Sequence, residues 1–345
     1  MAPKEVYLVI GGSGFVGRHI VQQLLDRGDT VVSLDIVQRY HDVPFFSVDI
    51  TDEEQVADAL RKSGATCIIH TASPPATINN PALFFKVNVD GTKAIIAAAV
   101  AAGVRKLVYT SSAGVVFNGG DLINVDERLA PPEVPLDAYN DSKAKAEAIV
   151  LAANGKDGLS TVAIRPAGIF GPGDRQVMSG LYTVYENNQT HFQIGDNTNM
   201  FDWTYVGNVA RAHILAADNP LQVAGQAFFV TNGEPCYFWD FPRLVWHHLD
   251  SVFPGKRQPR KPLKLSKPIG LLAATGAEYA AWLMGKEPTF TRFKVSYSCV
   301  NRWYNIEKAR RVLGYEPIIG LEEGIKLMVE WWAKEYAAGS HKTAH

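Results

Sequence analysis

A glycine-rich loop directly after a short apolar strand does most to restrict the fold of this chain. The strand at 6–10 leads into Gly11-Gly-Ser-Gly-Phe-Val-Gly17, where an apolar helix begins. Glycine at three positions allows a sharp turn, close approach of a pyrophosphate to backbone amides, and tight packing of the helix on the sheet. The loop therefore predicts a nucleotide-binding βαβ unit. The predicted contacts are Gly11, Gly14, Phe15, Val16 and Gly17.

Strand and helix patterns alternate through the first half of the chain. Short β-branched or aromatic runs predict strands at 6–10, 30–34, 45–48, 66–69, 106–110 and 161–164. Helical patterns lie between them at 15–27, 52–63, 81–102 and 137–153. This alternation predicts an α/β fold of the Rossmann type, a doubly wound parallel sheet whose ligands bind at the carboxyl ends of the strands.

Charge and cysteine content exclude several classes of protein. The formal net charge is −1, so no overall field attracts nucleic acid, and any attraction to a membrane must be local. The three cysteines form no close pair, and no His/Cys/Asp cluster has metal-ligand spacing. We therefore expect reduced thiols and no metal. The first residues carry no secretory signal, so we expect the active site to face the cytosol.

An aspartate at the end of the second strand indicates which dinucleotide binds. Asp35 follows Gly17 by eighteen residues. A carboxylate there accepts hydrogen bonds from the adenosine ribose hydroxyls and repels a 2′-phosphate, which favours NAD over NADP. Arg39, four residues further on, can soften this preference. The alternative is that Asp35 is an ordinary surface residue.

The alternation breaks off in two places, which divides the chain into two discontinuous domains. The predicted NAD-binding Rossmann domain comprises 1–166 and 201–232. The remaining segments, 167–200 and 233–345, are predicted to form a smaller, mostly C-terminal substrate-binding domain.

Two tyrosine and lysine pairs with four-residue spacing occur in the chain. Tyr139 and Lys143 fall in a predicted helix that Asp137 can cap, so both side chains project from one face. The second pair, Tyr304 and Lys308, follows the sheet and is predicted to lie in a solvated basic helix without a catalytic role.

The first pair supplies the groups for redox chemistry at an alcohol. Tyr139 would accept the substrate proton, and lowering its pKa from about 10 to about 7 requires roughly 4 kcal/mol of tyrosinate stabilisation. The Lys143 ammonium and an oxidised nicotinamide can supply it, while Lys143 also anchors the ribose. Ser112, at the end of the fifth strand, would orient the substrate oxygen, with Ser111 as the alternative.

Taken together, these residues resemble the extended short-chain dehydrogenases/reductases, and most of all the 3β-hydroxysteroid dehydrogenase branch that decarboxylates sterol-4α-carboxylates. The resemblance covers nearly the whole chain. Its longer matching segments are His70-Thr-Ala-Ser-Pro-Pro, Asn88-Val-Asp-Gly-Thr92, Arg165-Pro-Ala-Gly-Ile-Phe-Gly-Pro-Gly-Asp174, Asp202-Trp-Thr-Tyr-Val-Gly-Asn-Val209 and Pro288-Thr-Phe.

The resemblance also implies further residues around NAD. They are Asp49 and Ile50 beside the adenine, Ala72, Asn88, Pro166 and Ile169 beside the nicotinamide, and Ser73 and Ser111 in the same site. Asn88 has an alternative role, in which it ties a helix to a loop.

The reaction implied by the resemblance is oxidation of the 3β-hydroxyl of a 4α-carboxysterol. The resulting β-keto acid loses carbon dioxide without a metal or a further base, and Arg175 is the candidate partner of the substrate carboxylate. The alternatives are a 3β-hydroxysteroid dehydrogenase/isomerase, a nucleotide-sugar epimerase or dehydratase, and a non-catalytic NAD-sensing scaffold.

A basic segment followed by an apolar one indicates where the substrate enters. Segment 256–267 contains six cations and no acid, and 268–285 is apolar but too short and too polar to span a bilayer. Segment 268–285 either lies in a membrane interface, with Trp282 at the headgroups, or covers the substrate pocket. The resemblance implies peripheral or monotopic binding to the cytosolic face of the endoplasmic reticulum, contact with other sterol-demethylation enzymes, and a homodimer through 81–102 and 137–153.

Overall fold

The fold is built around a large parallel sheet in the computed structural model, which describes residues 5–258, 260–286, 288 and 290–339. The strands in chain order are β1 Val6–Ile10, β2 Thr30–Asp35, β3 Phe45–Ser47, β4 Cys67–His70, β5 Lys106–Thr110, β6 Leu122–Val125, β7 Ser160–Pro166, β8 Gly168–Phe170, β9 Phe192–Ile194, β10 Met200–Phe201, β11 Trp203–Tyr205, β12 Gln226–Val230, β13 Cys236–Tyr237, β14 Leu263–Leu265 and β15 Arg302–Tyr304. In this part of the chain the main sheet has seven strands in the order β12-β7-β5-β4-β1-β2-β3.

The strands of the main sheet are apolar because both of their faces are covered. Leu8 of β1, for example, lies between Val32 of β2 and Ile68 of β4, in a fully parallel register. All six strands predicted for the first half form, with ends within two residues of the prediction. The predicted Rossmann-type α/β fold is confirmed.

The helices lie on the two faces of this sheet and beside the smaller sheets described below. In chain order they are α1 Phe15–Asp26, α2 Glu53–Ser63, α3 Pro81–Phe84, α4 Thr92–Ala101, α5 Ala138–Ala152, α6 Val177–Glu186, α7 Val206–Asp218, α8 Pro220–Val223, α9 Asp240–Val252, α10 Lys267–Leu283, α11 Arg292–Tyr297 and α12 Leu321–Ala337. Helices α1 and α7 bury apolar side chains on one face, and α2, α4 and α5 do so on the other. The sheet is therefore doubly wound, as predicted.

One predicted helix is interrupted by a wider turn. The pattern at 81–102 forms α3, a π-helical turn at Phe85–Gly91, and α4. The turn brings Asn88 against α5, where its amide nitrogen donates to Ser142 Oγ at 2.9 Å. A π-helical turn inside a helix is common at functional sites, which makes this interruption relevant to the site described below.

Smaller sheets and an aromatic core lie beyond the carboxyl ends of the main strands. Strands β13, β10, β15 and β6 form one sheet, while β11 pairs with β8 and β14 with β9. Trp203 stacks on Phe241 with ring centroids 3.8 Å apart, in a core shared with α6, α9 and α12. Within 201–232, the predicted second part of the NAD-binding domain, α7 packs on the main sheet and β12 joins it, whereas β10 and β11 belong to the smaller sheets. The predicted domain limits remain a prediction, and their ends at 1–4 and 340–345 lie outside the described residues.

The second tyrosine and lysine pair does not share a helix, which corrects the prediction for it. Tyr304 lies in β15, before the helical turn, and its ring is buried. Lys308 is half-buried, and its Nζ donates to the carbonyl of Ala227 at 2.9 Å. The pair is therefore separated by the change from strand to helix, and it is unsuited to the catalytic role of Tyr139 and Lys143.

Candidate active site

The glycine loop turns so tightly that two of its positions admit no side chain. Gly11 has a φ of +83°, and a Cβ there would lie 2.6 Å from Thr71 Oγ1. A Cβ on Gly17 would lie 2.1 Å from the Gly11 carbonyl oxygen. Helix α1 begins at Phe15, so its unpaired backbone N–H groups face the loop. The loop fits the diphosphate of a dinucleotide, which binds at a helix N-terminus where the backbone is free of side chains.

Asp35 lies at the carboxyl end of β2, next to this loop. Its carboxylate accepts hydrogen bonds from the backbone N–H of Ser13 at 3.1 Å and of Ile36 at 2.8 Å. The exposed Arg39 reaches the same loop, because its Nη1 donates to the Ser13 carbonyl at 3.2 Å. The structure thus brings the predicted ribose partner and the predicted modifier of cofactor preference to one place.

The other residues predicted around NAD follow strands at the same edge of the sheet. Asp49 is exposed after β3, and its carboxylate accepts hydrogen bonds from Thr51. Ile50 is buried beside Gly91. The remaining members of this set are Ala72 and Ser73 after β4, Pro166 at the end of β7, and Ile169 in β8. Their contacts with a cofactor remain predictions.

Tyr139 lies in the first turn of α5. Asp137 caps this helix as predicted, since its carboxylate accepts the backbone N–H of Asn140 at 2.7 Å. The Tyr139 ring packs edge-on against Phe84 at 5.5 Å, which fixes its direction. Burial raises the pKa of Tyr139 to about 12, the Asp137 carboxylate adds to the rise, and the Ser73 hydroxyl opposes it.

Lys143 is one helical turn further along α5 and is almost completely enclosed. Its side chain is 2% exposed, and its Nζ donates to the Thr110 carbonyl at 2.5 Å. The Nζ also lies 4.5 Å from the ring centre of Tyr109. Burial lowers the pKa of Lys143 to about 7, and the Glu147 carboxylate opposes this effect. The predicted lowering of the Tyr139 pKa is thus not produced by the surrounding protein groups alone, and it remains a prediction for the enzyme with its cofactor.

The two candidate serines differ in accessibility. Ser112 follows β5, is partly exposed, and its Oγ accepts the backbone N–H of Gly114 at 3.0 Å. Ser111 is buried, and its Oγ has no hydrogen-bond partner. An open hydroxyl at the strand end suits contact with a substrate oxygen, so the geometry favours Ser112 over Ser111.

Asn88 connects the π-helical turn to the helix that carries Tyr139. Its amide nitrogen donates to Ser142 Oγ, and Ser142 Oγ donates to the Tyr139 carbonyl at 2.8 Å. The alternative role predicted for Asn88 was to tie a helix to a loop. In the structure Asn88 instead ties the π-helical turn to α5. Its Oδ1 is buried without a partner, and a contact with the cofactor remains a prediction.

Two buried residues behind Lys143 were not among the predicted site residues. His70 lies next to Tyr109 across β4 and β5, with ring centroids 5.4 Å apart. The His70 Nδ1 and the Tyr109 hydroxyl have no hydrogen-bond partner. Burial lowers the pKa of His70 to about 3, with a further contribution from Lys143, so the ring is neutral. The sequence predicts that both residues lie near the ends of strands, but it does not predict that His70 and Tyr109 are neighbours on adjacent strands.

Arg175 lies on the surface, in contact with the last helix. Its Nη2 donates to the Glu335 carboxylate at 3.2 Å, and both side chains are at least partly exposed. Arg175, which the sequence suggested as the partner of the substrate carboxylate, is therefore already paired with an acid of the protein. The substrate role of Arg175 remains a prediction that its contacts do not support.

Comparison with known proteins places this site in a family. A family model described as the 3-beta hydroxysteroid dehydrogenase/isomerase family matches residues 8–258. The chain belongs to this family. One member is the fission-yeast (Schizosaccharomyces pombe) "sterol-4-alpha-carboxylate 3-dehydrogenase erg26, decarboxylating", which is 47% identical over 345 residues, covering 96% of this chain and 99% of that protein.

The family assignment agrees with a second relative and with a solved structure. The decarboxylating sterol-4-alpha-carboxylate 3-dehydrogenase ERG26 of Saccharomyces cerevisiae is 43% identical, covering 96% of this chain and 99% of that protein. The UDP-glucose 4-epimerase of Thermus thermophilus, solved in complex with NAD, has a TM-score of 0.69 at 26% identity, covering 95% of this chain and 98% of that chain. The predicted resemblance to the 3β-hydroxysteroid dehydrogenase branch is thereby confirmed.

Proposed function

We propose that this family member oxidises the 3β-hydroxyl of a 4α-carboxysterol with NAD and that the C4 carboxylate leaves as carbon dioxide, a step of sterol C4 demethylation. The main support is the 47% identity across 99% of a protein named for this reaction. The presence of Ser112, Tyr139 and Lys143 at the carboxyl edge of one sheet supports the same proposal.

The residues around the glycine loop fit NAD. Gly11 and Gly17 are packed so closely against Thr71 and the backbone of the loop that neither position admits a Cβ. The diphosphate would bind to the backbone N–H groups at the start of α1. Asp35 would receive the adenosine ribose hydroxyls. When bound, NAD supplies the acceptor for the hydride that leaves C3 of the sterol.

Tyr139 and Ser112 would act on the substrate hydroxyl. Ser112 donates a hydrogen bond to the 3β-oxygen and fixes its direction, while the Tyr139 oxygen takes the proton as the hydride leaves C3. With a pKa of about 12, Tyr139 is protonated at neutral pH unless positive charge stabilises the tyrosinate. Protonated Lys143, four residues along the same helix face, would supply that charge.

The loss of carbon dioxide requires no additional catalytic group. Oxidation places a ketone at C3, next to the carbon that carries the carboxylate. The bond between C4 and the carboxyl carbon breaks, its electron pair forms the C3 enolate, and C4 then takes up one proton. Tyr139, which holds the proton from the hydroxyl, can donate a hydrogen bond to the enolate oxygen. The sum is one carboxysterol and NAD giving one ketosterol, carbon dioxide and NADH.

The direct test follows NADH and carbon dioxide together, with purified protein, NAD and a 4α-carboxysterol in mild detergent. We expect equal amounts of both products. Tyr139→Phe should bind NAD as the wild type does but lose at least about 100-fold in turnover, because the proton acceptor is gone. Wild-type turnover in Tyr139→Phe would contradict the mechanism.

Other outcomes of this test point to the alternative functions. NADH without carbon dioxide indicates a 3β-hydroxysteroid dehydrogenase/isomerase. Neither product calls for a panel of nucleotide sugars, which tests an epimerase or dehydratase. NAD binding without turnover of any of these substrates indicates a non-catalytic NAD-sensing scaffold.

We also propose peripheral binding to the cytosolic face of the endoplasmic reticulum membrane through α10. Within the described ranges, no helix has the length and apolar character needed to cross a bilayer. Yet α10 and the residue after it expose large apolar side chains, namely Ile269, Leu272, Tyr279, Trp282, Leu283 and Met284. The single acid of α10, Glu278, is neutralised by an ion pair with Arg292 at 2.7 Å. Exposed Lys261, Lys264 and Lys267 lie just before or at the start of α10, where they suit anionic headgroups.

Vesicle sedimentation tests this surface. Leu272→Glu and Trp282→Glu replace side chains that are 75% and 72% exposed, and each should weaken binding to phosphatidylcholine/phosphatidylserine vesicles at least tenfold. Leu221→Glu is the matched control, because Leu221 is 94% exposed on α8. Equal binding of all three variants would contradict the membrane proposal. Unchanged binding with a raised KM for the sterol would instead support α10 as a cover of the pocket.

The proposed assembly is a homodimer through α3–α4 and α5, with other sterol-demethylation enzymes as neighbours on the membrane. Ala97 and Ala148 are exposed on two of these helices, so that a second copy could approach closely. Sedimentation velocity should give twice the chain mass, and a monomer would contradict the dimer.

A further inference from the structure

Arg302 is a buried cation in the middle of an aromatic cage. Arg302 is 8% exposed and is the first residue of β15. The guanidinium carbon lies 4.2 Å from the ring centre of Phe117, 4.6 Å from that of Tyr297 and 5.3 Å from that of Phe201. These rings come from three separate segments of the chain, so the cage forms only in the complete fold.

Among the described residues, no carboxylate lies within ion-pair distance of Arg302. Its Nε has no hydrogen-bond partner, while the hydroxyls of Tyr297 and Tyr304 accept hydrogen bonds from the guanidinium. The other buried arginine of the site region, Arg165, forms a two-point ion pair with Glu147 through its Nε and Nη2, although its Nη1 has no hydrogen-bond partner. Against the effect of burial, neighbouring Tyr297 and Tyr304 raise the pKa of Arg302, so the charge persists.

Such an arrangement is unfavourable for the folded protein by itself. Ring stacking offsets part of the desolvation of a guanidinium, but an unpaired buried charge normally destabilises a fold. An unpartnered buried donor in a native protein therefore needs an explanation, and a partner that arrives with the substrate is one.

The cage lies against the segment that begins at the catalytic serine. Ser112 caps the short 3₁₀ turn Ala113–Val116, and Phe117 follows that turn directly. Tyr304, two residues after Arg302, donates its hydroxyl to the Ala113 carbonyl at 3.3 Å. Arg302 also pairs in register with Leu122 of β6, the next strand after the turn. The cation thus borders the catalytic segment on the side of the smaller sheets.

We propose that Arg302 recognises the carboxylate of the sterol substrate and positions it beside the catalytic serine and tyrosine. This inference rests on the proposed function, which supplies an acidic substrate. It assigns to Arg302 the role that the sequence suggested for Arg175. A guanidinium is suited to it, since its planar N–H donors match the two oxygens of a carboxylate.

The chemistry limits what this residue does. A cation bound to the carboxylate stabilises the charge that must leave the carboxyl group during decarboxylation. Arg302 therefore acts in binding and in selection of acidic over neutral sterols, and it takes no part in breaking the carbon–carbon bond. Its removal should affect kcat/KM for the acid and leave the neutral sterol unaffected.

A comparison of two substrates and two charge states tests the proposal. We would measure kcat/KM of wild type, Arg302→Met and Arg302→Lys with a 4α-carboxysterol and with its methyl ester, using inhibition constants where the ester is not oxidised. Arg302→Met should lose at least about 30-fold with the acid and less than about threefold with the ester, because a desolvated charge pair is broken only for the acid. Arg302→Lys should lie between, since it keeps the charge but not the planar donors.

The control variant and stability separate this role from a structural one. Arg175→Gln should leave both substrates unchanged. The melting temperature of Arg302→Met should stay level or rise, because an unpaired buried charge is removed. Equal losses of kcat/KM for the acid and the ester would overturn the proposal. If Arg302→Met does not fold, the same comparison of acid and ester is made with Arg302→Lys. Wild type that forms no NADH or carbon dioxide from the acid would instead refute the proposed function.

Discussion

Replacing Gly17 by alanine tests the assignment of the glycine loop as a cofactor cradle. Gly17 is the third residue of α1, and an added Cβ would lie 2.1 Å from the Gly11 carbonyl oxygen and 2.9 Å from the Gly12 Cα. Real Cβ atoms essentially never come closer than 3.0 Å to a neighbour, so the first contact must lengthen by about 0.9 Å. The atoms that must move are backbone, and they belong to the turn that would hold the diphosphate.

The expected magnitude follows from this overlap. Overpacking of a well-ordered site costs about 1–3 kcal/mol. Alanine regains about 0.5–1 kcal/mol relative to glycine inside a helix. We therefore expect Gly17→Ala to lower the free energy of unfolding by up to about 2.5 kcal/mol. Because the displaced carbonyl belongs to the cradle, NAD affinity should also fall at least about tenfold, equivalent to about 1.4 kcal/mol.

The chain offers a matched control in Gly180. This glycine lies inside α6, and no neighbouring atom lies within 4 Å of an added Cβ. Gly180→Ala should therefore stabilise the protein by about 0.5–1 kcal/mol and leave NAD binding unchanged. Urea unfolding gives the stabilities, and calorimetric titration gives the NAD affinity. If Gly17→Ala behaves like Gly180→Ala in both assays, the argument from the loop geometry is refuted.

Two further predictions concern the catalytic serines and a buried acid. Ser112→Ala should lower kcat for the carboxysterol about 100-fold while Ser111→Ala loses less than tenfold, because the first hydroxyl alone is accessible; the reverse order in steady-state kinetics would reassign the role. Burial raises the pKa of Asp202 to about 7, so the folded state favours its neutral form and loses stability as pH rises from about 4 to about 7. In thermal melts, the stability of Asp202→Asn relative to wild type should therefore increase as the pH rises across that range. A difference in melting temperature that does not change with pH would contradict the raised pKa of Asp202.

The main sheet could be predicted because its strands are buried on both faces. Each appears in the sequence as a short continuous apolar run, and the glycine loop fixed where the first helix begins. Catalytic residues at strand ends followed from the parallel arrangement. Tyr139 and Lys143 could be distinguished from Tyr304 and Lys308 by context alone, although the sequence did not reveal that Tyr304 lies in a strand.

The features that escaped prediction depend on contacts between distant segments. The π-helical turn at Phe85–Gly91 lies inside a segment predicted as one continuous helix, because the sequence does not indicate the wider turn. Lys308 looks like a surface residue in the sequence, but its long stem follows apolar surface to a carbonyl of β12. Arg302 was not among the predicted site residues, whereas Arg175 was the predicted partner of the substrate carboxylate. They differ because strand pairing buries the first, while the second contacts Glu335 at the surface.

The position of β12 at one edge of the main sheet has a consequence for folding. Its partner β7 ends at Pro166, whereas β12 begins at Gln226, after the segment that contains α6, α7 and several strands of the smaller sheets. Until residue 230 has been synthesised, β7 presents an open row of backbone N–H and C=O groups that can pair with another chain. Nascent chains and truncations ending between 167 and 225 should therefore be prone to aggregate, because completion of the main sheet requires β12, which lies beyond that segment.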